Sequence, residues 1–287
     1  MMDNSQSDGI VQSGPGGLPF VTLVTGDGAR AVVCLHGAHV TSWVPAGEDG
    51  DRLFLSSRSE FREGTAIRGG VPISFPQFAT QGPLPKHGFA RLTTWELVSL
   101  EAGSEAVAVF RLADSAETRA IWPHPFVAEM TVRVSGASIS MEFVVGNTGQ
   151  DPFSFTAALH TYLRVYDVRE AAIVGLQGTR YRDKAAGETE PEDRERELRI
   201  DGEVDRVYLN APRVVELQEG GRTVEVASTG FADIVVWNPG AEAAAKLADM
   251  EPDGHLRMLC IEAAAAGSPV YVAPGERWIG SQTLTAR

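Results

Sequence analysis

The chain is poor in cysteine, in positive charge and in long apolar runs. Only Cys34 and Cys260 occur among 287 residues, both inside apolar stretches (AVVCL and RMLCIE) where a thiol acts as a small hydrophobe. Neither CxxC nor HExxH spacing is found, so the patterns of common zinc sites are missing and no metal site is expected. Lys and Arg total 25 against 38 Asp and Glu, a net charge of −13. Nucleic acid and anionic membranes both select basic surfaces, so neither is an expected partner. No apolar run approaches the ~18 residues a spanning helix needs. The opening MMDNSQSDGIVQSGPGG carries no basic n-region and no apolar h-region, so it does not read as a secretory signal, and the cytoplasm is the expected location. That stretch is polar and Gly-rich, and order is expected to begin near Leu18. Helical stripes are scarce too; SRSEFRE offers one or two turns at most.

What remains is strand-like. EMTVRVSGASISMEFVV reads as two runs joined by Ser-Gly-Ala-Ser, with Ile139, Met141, Phe143 and Val145 sharing one face at period two. RVVELQEGGRTVEVAS repeats the hairpin around Gly220-Gly221. FADIVVWNPG reads as a more buried strand closed by a turn, and AVAVFRL and YVAPGERW add further candidates. Many short strands with turn signals every ~8–12 residues indicate an all-β sandwich or barrel, here one domain over 18–287. RDKAAGETEPEDRERELRIDGE interrupts the pattern and reads as a solvated charged loop.

Four places carry chemistry beyond what a plain sandwich needs. His160 is the one titratable group in SFTAALHTYLRV, and alone it reads as a core histidine or as half of an acid–base pair. In AIRGGVPISFPQF, Arg68 precedes two glycines and a proline-stiffened loop. It reads either as a fork for a carboxylate or phosphate or as an arginine bridging two loops. In LPKHGFARL, Lys86, His87 and Arg91 form a compact basic group, either an anion site or an ordinary surface turn. In MLCIEAAAAGSPVYV, Glu262 ends an apolar run, where a carboxylate is costly unless paired or functional. Desolvation there would raise its pKa toward general-base strength. His36, His39 and His124 read as structural, and Trp237 as packing.

Taken in order, LHGAHVTSW, FREGTAIRGGVPISFPQF, LPKHGFARLTTWEL, ALHTYLRV, DGEVDRVYLN, DIVVWNPG, MLCIE and VAPGERWIGSQTL resemble the glucose-6-phosphate 1-epimerase family, within the aldose 1-epimerase superfamily. The resemblance implies a galactose mutarotase-like β-sandwich that interconverts the α and β anomers of a hexose 6-phosphate, glucose 6-phosphate first among them. It implies His160 as general acid and Glu262 as general base; to act as a base Glu262 must stay ionised in the free enzyme, which a nearby imidazolium would favour and burial oppose. It implies Arg68, Lys86, Arg91 and Asp205 as substrate-binding residues, with His87 lining the pocket. The small-molecule sugar phosphate is the one expected partner, a monomer is expected, and one acid and one base suffice without a cofactor. Two departures stand out. Lys86 occupies a position that is commonly small or an amide in relatives, and Ala263–Ala266 stand where relatives often turn at Pro-Gly. Two other readings need fewer of these residues: a mutarotase of neutral aldoses dispenses with the arginines, and a non-catalytic carbohydrate-binding or sugar-phosphate-sensing protein dispenses with the acid–base pair.

Overall fold

The computed structural model describes residues 11–187 and 190–287. Two large antiparallel sheets pack face to face, with a smaller four-stranded sheet beside them. The nine-stranded sheet runs in the order Glu197–Arg199, Ala172–Val174, Val214–Glu219, Arg222–Thr229, Arg277–Ala286, Ser138–Asn147, Phe126–Ser135, Ala106–Ala113, Glu96–Glu101. Its centre is the hairpin expected from the period-two pattern: Ile139, Met141, Phe143 and Val145 are fully buried, while Ser138, Ser140 and Glu142 are half-buried. Gly136 turns the hairpin at φ +52, and Gly220-Gly221 turn the next at φ +54 and +82. The two helices among the described residues, Ala116–Ile121 and Gly240–Ala244, are short.

The seven-stranded sheet carries the site. Its order is Tyr181–Asp183, Val204–Tyr208, Asp233–Asn238, Met258–Val272, Phe153–Leu159, Ile73–Ser74, with Tyr162–Arg164 pairing the start of Met258–Val272. Along that central strand, alternate residues part company. Ile261, Ala263 and Ala265 enter the main core, whereas Cys260, Glu262 and Ala264 point to the other face. The alanine run is therefore strand, not the turn that relatives suggested. Asp233 accepts the backbone N–H groups of Ala266 (2.9 Å) and Gly267 (2.6 Å) at its far end.

Phe75 ties the Pro72–Phe89 loop to both sheets. Its ring lies 5.2 Å from Phe155, 5.5 Å from Trp122 and Phe126, and 5.6 Å from Phe143, all edge-on. Such pairs contribute ~0.5–1.5 kcal/mol each beyond area burial, so the loop is a rigid support.

Two expectations fail at the chain's polar stretches. Gln12–Ser13 pairs with Pro19–Val24 and Pro15–Gly17 forms a 3-10 turn, so ordered backbone starts before Leu18; residues 1–10 lie outside the described residues. SRSEFRE makes no helix; Ser59 instead uses its hydroxyl and the Arg68 backbone to hold a turn (2.7 and 3.0 Å).

Candidate active site

His160 sits where one strand stops and the next starts. Phe153–Leu159 and Tyr162–Arg164 both pair with Met258–Val272, but the ladder skips His160 and Thr161. Two loop carbonyls take the flanking amides: His160 N–H donates to Pro72 O (3.0 Å) and Tyr162 N–H to Gly70 O (2.9 Å). The break frees the imidazole to turn onto the Glu262 face. Its ring stacks on Tyr162 at 4.8 Å and 9° and meets Trp237 edge-on at 5.8 Å.

His160 Nδ1 lies 3.2 Å from Glu262 Oε1. The approach is off the hydrogen-bonding axis, and both Nδ1 and Glu262 Oε2 are buried without a hydrogen-bond partner. His160 is 8% exposed and Glu262 1%. Burial pushes the Glu262 carboxyl well above its ordinary 4.5; Asp205 adds to the rise, and Lys184 and Arg91 oppose it. Burial pulls His160 well below 6.5, reinforced by His87, Arg91 and Arg68. Both directions disfavour a charged pair, so burial favours a proton on Glu262 over one on His160 in the open cleft. This direction runs against the expectation of an ionised Glu262, because desolvation opposes the carboxylate more than Lys184 and Arg91 favour it. Cys260 Sγ lies within 4.8 Å of both groups, and burial keeps it a neutral thiol.

All seven residues singled out in the sequence line one cleft of about 310 Å³: Arg68, Lys86, His87, Arg91, His160, Asp205 and Glu262. Three larger clefts, of about 420, 380 and 370 Å³, contain no buried His–Glu pair. Arg68 reaches the cleft with its fork engaged, from Nε to Asp249 Oδ2 (3.2 Å), from a terminal nitrogen to the same oxygen (3.1 Å) and from the other to Tyr162 OH (3.0 Å). Burial lowers its pKa, but Tyr162 and Asp249 more than offset that and raise it. Arg91 donates one bond to Lys86 O (3.1 Å), keeps a buried Nε without partner and has no ion pair among the described residues. Lys86 is exposed at the rim, and burial raises the Asp205 carboxyl against the pull of Lys184.

His87 accepts at Nδ1 from the Ala79 N–H (3.4 Å), which can only donate, and Nδ1 lies 2.7 Å from Ser74 Oγ. The ring is therefore neutral and protonated at Nε2. Burial first, then Arg91, Lys86, Lys184 and Arg68, hold its pKa down to about 2. His39 is structural, as expected, donating from Nε2 to Gly69 O (2.7 Å) beside Arg68; His36 does the same for Thr65 O (2.9 Å). His124 packs on Trp122 at 4.8 Å, away from the cleft.

Three residues escaped the sequence reading. Trp237, expected to be packing, is half-buried and lines the cleft. Lys184, assigned to a solvated loop, also lines it. Asp249 had no signal at all; it lies 181 residues from the arginine it holds.

The aldose 1-epimerase family profile matches residues 19–285. A protein of Cenchrus ciliaris named "Putative glucose-6-phosphate 1-epimerase" is 35% identical over 284 residues, 95% of this chain and 86% of that relative. The crystal structure of a protein described as a putative mutarotase from Salmonella typhimurium superposes with a TM-score of 0.87 at 31% identity, covering 94% of this chain and 90% of that one. A galactose mutarotase related enzyme from Lactobacillus acidophilus shares the fold, with a TM-score of 0.75 at 15% identity over 93% of this chain and 97% of its own.

Proposed function

The chain belongs to the aldose 1-epimerase family, and from that membership we propose that it interconverts the α and β anomers of a hexose 6-phosphate, glucose 6-phosphate first. The observation that carries the reading is the buried His160–Glu262 pair, 3.2 Å apart, at the base of a cation-lined cleft.

Anomerisation needs a base at the O1 hydroxyl and an acid at the ring oxygen. When sugar hydroxyls enter and donate to Glu262, with Arg91 and Lys184 nearby, the shared proton moves to His160. Glu262 then takes the O1 proton as His160 gives its proton to O5. The C1–O5 bond breaks and C1 becomes an aldehyde. Rotation about C1–C2 presents the other carbonyl face, and ring closure reverses both transfers. Ring opening leaves Glu262 protonated and His160 neutral, which is the distribution that the buried site favours. The low-dielectric cleft thereby supports the open-chain half of the cycle. His87, a neutral Nε2–H donor, and the Asp205 carboxylate are placed to orient hydroxyls.

The main buried cluster runs from Val21 to Ala286, which supports one domain, and we propose a monomeric working unit. A phosphorylated substrate does not leave the cell unaided, which supports action in the cytoplasm. NMR exchange between anomers is the test. His160→Ala and Glu262→Gln should each lower kcat by about 10²–10⁴-fold. Near-wild-type exchange in either variant removes the pair from catalysis. Equal kcat/KM for glucose and glucose 6-phosphate would favour the neutral-sugar reading.

A further inference from the structure

We propose that Lys184 is a substrate-binding residue that completes the anion clamp of the cleft, facing the phosphate together with Lys86 and Arg91. The inference rests on the hexose-phosphate reading above and adds a residue from outside the compact basic group. Lys184 follows the strand Tyr181–Asp183, and its N–H donates to Asp205 O (2.9 Å). From there the side chain crosses to the opposite wall, where Nζ stands 5.0 Å from the centroid of Phe78. Phe78 lies on the same loop as Lys86 and His87, so Lys184 links the charged segment to the loop that carries the basic group. Other cations around that segment are used locally: Arg182 pairs with Glu190 (2.7 Å), Arg199 with Glu197 (2.7 Å) and Arg206 with Asp183 (3.1 Å). Lys184 has no such carboxylate within 4.0 Å among the described residues and is half-buried in the cleft instead.

Charge balance points the same way. Arg68 is neutralised by Asp249, and the Glu262–His160 pair, 3.2 Å apart and sharing one proton, has no net charge wherever that proton rests. Lys86, Arg91 and Lys184 then face the single carboxylate of Asp205, leaving an excess of two positive charges. A phosphate monoester carries about −1.5 to −2 at neutral pH, so one such group balances the site. Without Lys184 the excess would fall to one and the dianion would be undercompensated. Its contact with the Phe78 ring holds the ammonium in place without consuming its charge.

The test uses the full chain with Lys184→Met, Lys184→Arg and, as a control, Lys246→Met, which removes an exposed lysine paired with Glu242. Inorganic phosphate is titrated calorimetrically, and anomer exchange is followed with glucose 6-phosphate and glucose. A lost charge-assisted contact of ~1.5–3 kcal/mol corresponds to roughly 10–100-fold. Lys184→Met should weaken phosphate binding and lower the ratio of kcat/KM for glucose 6-phosphate over glucose by at least the lower figure. Lys184→Arg should recover most of it, and Lys246→Met should change neither. Phosphate binding within twofold of wild type in Lys184→Met, or equal losses with both sugars, overturns the assignment. A wild-type enzyme that does not favour glucose 6-phosphate would overturn the hexose-phosphate reading alone, because the phosphate titration still decides Lys184.

Discussion

Arg68 and Arg91 enter the same cleft with different amounts of freedom. Arg68 spends its guanidinium on Asp249 and on the Tyr162 hydroxyl, and Tyr162 in turn lies flat against His160. Its first effect is to orient the acid, with any contact to an anion coming second. Arg91 has no carboxylate partner among the described residues and an unfilled Nε. Arg91→Ala should therefore raise KM for glucose 6-phosphate by ~10-fold or more, since a charge-assisted contact is worth about 1.5–3 kcal/mol, while affecting glucose less. Arg68→Ala should lower kcat for both sugars and cost roughly 1–3 kcal/mol of stability, because Asp249 and the tyrosine hydroxyl lose their donor. Paired kinetics on the two sugars and urea unfolding measure this. A phosphate-selective KM effect from Arg68→Ala with kcat intact would sink the orienting role. The sequence showed an arginine before two glycines and left open whether it served a ligand or the fold. Only the distant Asp249 decides, and a pairing across 181 residues leaves no local trace.

At the scale of elements, the hairpins were legible and the break at His160 was not. Period-two burial of Ile139 through Val145 and paired glycines at 220–221 follow from local sterics, which any strand with one buried face must obey. SFTAALHTYLRV contains no Pro or Gly, so its local preference is unbroken strand; the interruption comes from carbonyls of Gly70 and Pro72 and from the geometry of a neighbouring strand. The charged segment failed for a similar reason. Its composition is that of a solvated loop, but three of its strand-paired neighbours place Lys184 beside Asp205. The loops that impose this geometry depend on glycine at two points. Gly70, at φ +60, leaves no room for a Cβ, which would stand 2.2 Å from Val40 O. Gly88, at φ +66, would place a Cβ 2.1 Å from Phe75 O, and His87 before it also adopts positive φ (+63). Gly88→Ala should cost about 1–3 kcal/mol through backbone strain and lower kcat by displacing His87 and Arg91 from the cleft. Thermal unfolding and turnover together check it; an unshifted midpoint with full activity would show that the loop can move without consequence.

Across the whole molecule, buried titratable groups set how stability responds to acid. Burial holds His39 down to about 3 and His87 down to about 2, and takes His160 well below 6.5. Below about pH 6.5 the unfolded chain binds a proton at each of these positions and the native chain does not, so stability falls as pH falls. Each imidazole contributes up to ~1.4 kcal/mol per pH unit in that window, which for His39 extends down to about 3. Glu262 acts in the opposite sense. Its raised native pKa means the unfolded chain releases a proton first, so above about pH 4.5 its contribution to stability declines as pH rises. Burial raises Asp205 as well, with the same sign. Three imidazoles outweigh these carboxyls between pH 4.5 and 6.5, and the net expectation is a loss of stability on acidification through that range. Replacing His39 by Gln isolates one imidazole, because an amide N–H can still donate to Gly69 O where His39 Nε2 now does. The fall in urea midpoint between pH 7 and pH 5 should be smaller in His39→Gln than in the wild type. An identical fall in both would mean that His39 takes up its proton in the native state, and that the Arg68–Gly70 turn opens to solvate it.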